Sequence, residues 1–173
     1  VVQWLALKER LHYAAKIQAN SVREGWNIIA AEIPFEAEIG GIRLTGRIDR
    51  IDEHKDGRLR IIDYKTSNKA VDPADHHRKK GKEESRWTDF QLPIYYAAYK
   101  KKHPEKIIEC GYFVLPKAVA DTNILLWDDI NSETASALEE AENVVTQIRK
   151  GIFWPPRRLS SDLEPLFCRS PEE

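Results

Sequence analysis

Residues 42–65 read IRLTGRIDRIDEHKDGRLRIIDYK, and this stretch decides the fold. Its two halves, 42–53 and 58–64, are both rich in isoleucine, leucine and arginine, and the segment KDG at 55–57 separates them. An Asp-Gly pair between two strand-like segments is a strong signal of a β-hairpin. The stretch therefore predicts two adjacent antiparallel strands.

The predicted hairpin carries charged residues that its geometry gathers on one face. Because side chains alternate along a strand, Asp63 and Lys65 share a face and Tyr64 lies on the other. Pairing of the strands lets Asp49 face Asp63 if the register allows it. Close carboxylates repel each other unless a cation joins them, and their oxygens suit Mg²⁺ or Mn²⁺. A lysine beside such an ion can orient or deprotonate a water or neutralise a phosphate, which is the chemistry of phosphodiester hydrolysis.

Helices and further strands are expected on both sides of the hairpin. Gly25 ends the first helix, and Pro34 interrupts the following strand, which we therefore expect at a sheet edge. This order of elements predicts a mixed α/β (α+β) class with a central mixed, mostly antiparallel sheet flanked by helices. No repeat or domain boundary is visible, so we expect one domain over residues 1–173. The expected elements are helices at 3–24, 89–102 and 132–150 and strands at 27–38, 107–115 and 123–127, besides the hairpin.

Three sequence blocks, taken in order, resemble the PD-(D/E)XK nuclease superfamily. The first is GRIDRID at 46–52, the second is IIDYKT at 61–66, and the third is Gln91 followed by Tyr95. The helical spacing of Gln91 and Tyr95 puts both on one face, and this pair is similar to the RecB-like branch of the superfamily. The resemblance covers about residues 28–115 well and implies a restriction-endonuclease-like core.

The resemblance implies a metal-dependent site that cleaves DNA. Mg²⁺ or Mn²⁺ is the implied cofactor, and DNA is the implied substrate. The implied roles are metal ligation by Asp49, Asp63 and the backbone carbonyl of Tyr64, catalysis by Asp49, Asp63 and Lys65, and positioning of DNA by Gln91 and Tyr95.

Other charged residues near these blocks have open roles. Glu32, on the preceding strand, could supplement the metal site. Arg47 and Arg50 could bind phosphate, but a solvated or ion-paired position fits the pattern at least as well. Asp52 and Arg50 are expected to face away from the site or to pair with each other.

Residues 66–86 show no clear periodicity and are expected to form a long, mobile, basic loop. A loop of this length in a compact domain is usually functional or disordered. Its basic run, which includes Arg78, Lys79 and Lys80, favours either a solvated surface or an electrostatic track for the DNA backbone. The second interpretation gains weight because the loop joins the predicted catalytic strand to the helix that carries Gln91.

Two features of the RecB-like pattern are not matched. That branch commonly has a metal-binding histidine on an upstream helix, and His12 lies too close to Asp49 in the sequence to fit. Some relatives hold an iron–sulfur cluster with cysteines, which Cys168 alone cannot do. His76 and His77 have no spaced partner, so no metal site is predicted there.

Composition is that of an ordinary globular domain, with 42% hydrophobic and 32% charged residues and no apolar run as long as the roughly 20 residues of a membrane span. A net charge of −1 does not exclude nucleic acid, because the placement of basic residues decides binding. Cys110 and Cys168 form no CxxC pair and favour a reducing cytoplasm over a disulfide. The chain has no methionine and begins at Val1, so we expect a piece of a longer protein, and we expect Trp154 to pack its tail onto the core.

Three functions remain open, led by a DNA nuclease. The leading hypothesis is an exonuclease of DNA repair or recombination that acts with a helicase domain or subunit. The second is a catalytically inactive DNA-binding or scaffolding module of a helicase–nuclease complex, and the third is a restriction or defence endonuclease. The presence of Asp49, Asp63 and Lys65 together favours an active enzyme over the scaffold.

Overall fold

A computed structural model describes residues 2–80 and 85–152 of the chain. The secondary structure follows the predicted order, with small shifts at the ends of the elements. Trp154 and Cys168, which two of the expectations concern, lie outside the described residues, as do residues 81–84 of the expected loop. The elements are α1 (Val2–Glu24), β1 (Trp26–Ile39), β2 (Ile42–His54), β3 (Leu59–Lys65), α2 (Pro73–His77), β4 (Arg78–Lys80), β5 (Ser85–Trp87), α3 (Gln91–Lys102), β6 (Ile108–Val114), a short 3-10 turn (Val119–Asp121), β7 (Asn123–Leu126) and α4 (Ile130–Arg149).

The main sheet is mixed and has the strand order β1-β2-β3-β6-β7. Strands β3 and β6 run parallel, whereas the other neighbouring strands run antiparallel. The predicted hairpin is confirmed, with Arg50 opposite Ile62 and Glu53 opposite Leu59. Strand β1 lies at the sheet edge, as Pro34 predicted. The expected mixed α/β class is therefore confirmed.

The hydrophobic core lies between one face of this sheet and α3. Ile51 and Ile61 face each other across β2 and β3 and are 2% and 0% exposed. Leu92 of α3 is fully buried in the same cluster. Burying one such side chain stabilises the fold by about 1.5–3 kcal/mol. Because Ile61 and Asp63 point to the same side of β3, this core holds the strand in place directly beside its charged end.

Helix α1 is confirmed as the first helix, but only its C-terminal half packs on the described sheet. Ser21 is buried near Arg60, whereas Trp4, Leu7 and Leu11 are 69%, 47% and 61% exposed. The apolar side chains of the N-terminal half of α1 are thus left uncovered by the described residues. No helix of the described part, α1 included, has the length and apolar character needed to cross a membrane.

The expectation of an irregular loop at 66–86 is wrong for 73–80 and 85–86, which form a helix and two strands, whereas 66–72 have no helix or strand. Asp72 caps α2 by accepting backbone N–H groups of the first turn, and Pro73 begins the helix. Strands β4 and β5 form a small antiparallel pair with Lys79 opposite Arg86. These elements contain five, three and three residues, which is too short for a helical or strand period to show in the sequence.

Candidate active site

The predicted residues Asp49, Asp63 and Lys65 lie together where β2 and β3 pair. The paired register ends with Arg50 opposite Ile62, so the next position along each strand holds Asp49 and Asp63. The backbone N–H of Tyr64, between Asp63 and Lys65, donates to Oδ2 of Asp49 at 2.9 Å. The three predicted residues therefore lie at the same end of one face of the sheet. The backbone of Tyr64 in β3 links this strand to Asp49 in β2.

Asp63 is held closely but is not fully hydrogen-bonded. Its Oδ1 accepts a hydrogen bond from Nε2 of Gln91 at 2.9 Å. Its Oδ2 lies 2.7 Å from Nζ of Lys65, which makes a close ion pair. Asp63 is 5% exposed, so this oxygen is buried, and Lys65 is its one close partner among the described residues. A buried carboxylate that accepts so few hydrogen bonds has lone pairs left for a further ligand or ion.

The electrostatics of the site also favour an additional positive charge. Burial raises the pKa of Asp63 above its usual range, and the nearby charge of Asp49 adds to the rise. Lys65 and Gln91 act in the other direction but do not cancel the effect of burial. A divalent cation would offset the burial of Asp63 and its repulsion with Asp49, and carboxylate oxygens are hard ligands that Mg²⁺ or Mn²⁺ prefers.

Gln91 and Tyr95 lie on the face of α3 that meets the site, as their spacing predicted. Oε1 of Gln91 accepts from Nζ of Lys65 at 3.3 Å, and Nε2 of Gln91 lies 3.3 Å from the hydroxyl of Tyr95. The Tyr95 hydroxyl donates to the backbone carbonyl of Arg47 at 2.9 Å, and the side chain is 8% exposed. Tyr95 therefore ties α3 to β2, while Gln91 bridges Asp63 and Lys65.

Arg50 and Asp52 lie on the opposite face of β2, and their predicted pairing is confirmed. Nε and Nη2 of Arg50 donate to the two carboxylate oxygens of Asp52, each at 2.6 Å. The two side chains are 2% and 0% exposed. Nη1 of Arg50 donates to the hydroxyl of Tyr64 at 3.3 Å, so the side chain of Tyr64 points away from the site while its backbone faces it.

Glu32 and Arg47 border the site on β1 and β2 but are mostly exposed. Glu32 follows Ala31, which pairs with Arg50, so the register places it beside Asp49. Its backbone has a φ of 53°, an unusual value for a residue with a side chain. Oε2 of Glu32 lies 3.8 Å from Nη1 of Arg47. Within the described ranges no group of three or more His, Cys, Asp and Glu side chains is close enough to hold a metal, so Glu32 stands apart from the two aspartates.

The basic segment divides into residues with different surroundings. Nη1 of Arg78 donates to Oε2 of Glu133 at 2.7 Å, and its guanidinium lies 5.4 Å from the ring centre of Trp87. Lys79 is exposed and stands opposite Arg86. The side chain of Lys80 is not described. The charge of Arg78 is therefore engaged within the protein, whereas Lys79 faces solvent.

Three residues that the sequence did not single out lie just behind the site. His77 is fully buried and contacts Tyr112 of β6 and Asp89 before α3. These partners are 35 and 12 positions away in the sequence, and no local pattern marks them. Only the pairing of β3 with β6 brings Tyr112 next to Asp63.

Comparison with protein families identifies the class. The family model described as the PD-(D/E)XK nuclease superfamily matches residues 2–170, and the chain belongs to this superfamily. The Gene 69 protein of Mycobacterium phage L5 is 30% identical to it over 128 residues. That alignment covers 73% of this chain and 38% of the relative, so the chain spans well under half of that protein.

A solved structure shows the same fold. The crystal structure of a protein from Eubacterium rectale, described as a "Putative exonuclease", matches with a TM-score of 0.51 and 14% sequence identity. The match covers 94% of this chain and 66% of the other one. At this identity the likeness shows the fold alone, and it extends over nearly the whole chain.

Proposed function

We propose that this chain is a metal-dependent deoxyribonuclease, specifically a RecB-like exonuclease that acts in DNA repair or recombination. The observation that carries the proposal is the convergence of three charged side chains at one end of one sheet face. Asp49 accepts the backbone N–H of Tyr64 there, and Nζ of Lys65 lies 2.7 Å from Oδ2 of the buried Asp63. A carboxylate so placed in a domain of a nuclease superfamily is best explained as a ligand for a divalent cation.

The side chains of Asp49 and Asp63 and the backbone carbonyl of Tyr64 would hold the cation. Mg²⁺ or Mn²⁺ bound there would supply Lewis-acid stabilisation of negative charge on a backbone phosphate. Asp49 is already oriented by the N–H of Tyr64 at 2.9 Å, and Asp63 by the amide of Gln91 at 2.9 Å. Both carboxylates are thus held in place before the ion binds, which lowers the reorganisation that binding requires.

Lys65 is assigned to the reacting centre. Its ammonium group lies within 3.3 Å of Gln91 and 2.7 Å of Asp63, so it points at the place where a phosphate would approach the carboxylates. There it would donate hydrogen bonds to the phosphate or to the attacking water. In the reaction the water oxygen bonds to phosphorus, the bond from phosphorus to one sugar oxygen breaks, and that oxygen takes up a proton.

The DNA backbone would approach over exposed basic residues, of which Arg47 borders the site. Arg47 lies on the same face of β2 as Asp49 and is largely exposed. Lys79 and Arg86 extend positive charge from the small hairpin β4–β5. Arg78 would contribute less than the sequence predicted, because Glu133 already pairs with it.

The role of the longer protein is part of the same proposal. The chain spans 38% of its phage relative, so an additional helicase domain or subunit remains a prediction from the RecB-like resemblance. An exonuclease is preferred over a restriction or defence endonuclease because Gln91 and Tyr95 resemble the RecB-like branch of the superfamily. A cytoplasmic location, expected from the cysteine pattern, also remains a prediction.

The test is cleavage of linear and covalently closed circular DNA in Mg²⁺, in Mn²⁺ and in a chelator. The wild type is compared with Lys65→Ala and Asp63→Ala, and with Lys55→Ala as a matched control at the exposed hairpin turn. We expect metal-dependent loss of linear DNA only, abolished in the first two variants and retained in the control. Cleavage of circular DNA would favour the endonuclease, and a folded wild type that binds DNA without cutting it would favour the scaffold.

A further inference from the structure

A buried histidine behind the catalytic face connects two parts of the site. His77, the last residue of α2, is 0% exposed. Its Nδ1 lies 2.9 Å from the backbone carbonyl oxygen of Asp89, and its Nε2 lies 2.7 Å from the hydroxyl of Tyr112. The ring also stacks on Trp127, with 5.0 Å between ring centres. Both ring nitrogens and one ring face are therefore engaged inside the protein.

The hydrogen bonds of His77 have a defined direction. A carbonyl oxygen can only accept, so Nδ1 must carry a proton and donate to Asp89. Burial lowers the pKa of His77, which keeps the imidazole neutral. Nε2 is then an acceptor, and the hydroxyl of Tyr112 donates to it. The neutral ring thus has one fixed tautomer and joins a donor on β6 to an acceptor at the start of α3.

Each partner of His77 touches a residue assigned to the reaction. Tyr112 pairs with Asp63 in the β3–β6 ladder, and the Nζ of Lys65 lies 5.0 Å from the centre of the Tyr112 ring. Oδ1 of Asp89 accepts the backbone N–H of Gln91 at 2.8 Å. One side of His77 therefore supports the surface under Lys65, and the other side supports the first turn of the helix that carries Gln91.

We propose that His77 is a positioning residue of the nuclease site, which fixes Lys65 and Gln91 relative to each other by tying Tyr112 to Asp89. The proposal rests on the proposed function, since it concerns the same site. It adds a residue that lies outside the sequence blocks of the family resemblance. His77 touches neither carboxylate, so it acts on the lysine and the glutamine through their supports and not on the ligation of the cation.

The chain offers a matched histidine for comparison. His54, at the end of β2, is also bonded at both ring nitrogens, with Nε2 2.9 Å from the carbonyl of Glu24 and Nδ1 3.3 Å from the N–H of Asp56. Its side chain is 10% exposed. It lies at the corner of the hairpin, away from Lys65. Replacing either histidine removes a ring with two hydrogen bonds, but only His77 has partners that reach the site.

The activity test uses His77→Asn, Tyr112→Phe, the double variant, and His54→Asn as control, at a temperature where circular dichroism shows all four folded. We expect kcat on linear DNA to fall about 10-fold in His77→Asn with little change in KM, and to fall in Tyr112→Phe as well. The double variant should be no slower than the slower single variant, because both remove the same hydrogen bond. Equal losses in His54→Asn, or additive losses in the double variant, would overturn the proposal.

A second measurement does not depend on activity. The lysines are dimethylated with ¹³C, and the Lys65 resonance is assigned by its disappearance in Lys65→Arg. We expect that resonance to shift or broaden in His77→Asn and Tyr112→Phe and to stay in place in His54→Asn. An unchanged Lys65 signal in both variants would refute the positioning role. If the wild type cleaves no DNA, the proposed function fails, yet this signal still decides whether His77 positions Lys65. Should His77→Asn not fold, Tyr112→Phe, which keeps the ring, carries both tests.

Discussion

Both faces of the β2–β3 hairpin carry an acidic and a basic side chain in contact, but the two pairs differ in their hydrogen bonding and burial. On one face, Arg50 and Asp52 form two hydrogen bonds of 2.6 Å each and are almost completely buried. On the other face, Asp63 and Lys65 make a single contact of 2.7 Å, Lys65 is 27% exposed, and a second carboxylate, Asp49, lies beside them. Because successive side chains of a strand point to opposite faces, neighbouring residues of the same strands belong to these two different pairs.

This difference indicates which face serves stability and which serves chemistry. A buried pair with matched hydrogen bonds is strongly destabilised when one partner is removed. Two neighbouring carboxylates, one of them buried, repel each other when both are ionised, and a bound cation would relieve that repulsion. Substitutions on the first face should therefore act on folding, and substitutions on the second face should act on catalysis.

The largest effect is expected at Lys65. Lys65→Met keeps the length of the side chain and removes its charge, so we expect the single-turnover cleavage rate to fall by roughly 100-fold to 1000-fold. Because the change also removes the ion-pair partner of the buried Asp63, the rates are compared at a temperature where both proteins are folded. A Lys65→Met protein that cleaves at more than a tenth of the wild-type rate would contradict the assignment.

The next largest effect is expected on the opposite face. Arg50→Met leaves Asp52 buried without its partner and should lower the free energy of unfolding by about 3–5 kcal/mol, measured by urea denaturation. Arg47→Met on the same strand is the matched control, because its side chain is 64% exposed and its change should stay within about 0.5 kcal/mol. If the two variants had the same free energy of unfolding, the Arg50–Asp52 face would not be the one that stabilises the fold.

A smaller effect is expected in the pH dependence of the folding stability of the metal-free protein. The pKa of Asp63 is raised by burial, so the folded state binds this proton more tightly than the unfolded state does. The contribution of Asp63 to stability is therefore fully present below the unfolded value, about pH 4, and is lost as the pH rises through the folded pKa.

Asp63→Asn removes the ionisable group and should remove this loss. In a chelator, its melting temperature should exceed that of the wild type at neutral pH, and the two should converge in acid. Cleavage should be lost at every pH. A variant that is less stable than the metal-free wild type at neutral pH would show that the ionised carboxylate is well accommodated, contrary to this account.

The smallest effect is expected at Tyr64, whose side chain and backbone serve different faces. Tyr64→Phe removes the hydroxyl that accepts from Arg50 at 3.3 Å but keeps the backbone carbonyl assigned to the cation. We expect a loss of less than about 1 kcal/mol in urea denaturation and a cleavage rate near that of the wild type. A large loss of cleavage would mean that the hydroxyl itself takes part at the site.

The hairpin and its two faces could be predicted because a period of two is a local property of the sequence. The Asp-Gly turn fixed the pairing of 42–53 with 58–64, and alternation then separated Asp63 from Tyr64. The segment 66–86 could not be predicted in the same way, because α2, β4 and β5 are shorter than any detectable period. The position of His77 could not be predicted for a related reason. Its partners are Tyr112 of β6 and Asp89, which follows β5, and both are distant from it in the sequence.

The central claim is that a divalent cation binds on the face of the hairpin that carries Asp49, Asp63 and Lys65. The most direct measurement is a titration of Mn²⁺ followed by the electron paramagnetic resonance signal of the free ion, with wild type, Asp63→Asn and Tyr64→Phe. We predict that the wild type and Tyr64→Phe bind Mn²⁺ and that Asp63→Asn, though folded, does not. Binding that survives in Asp63→Asn, or a folded wild type that leaves all of the Mn²⁺ free, would contradict the account.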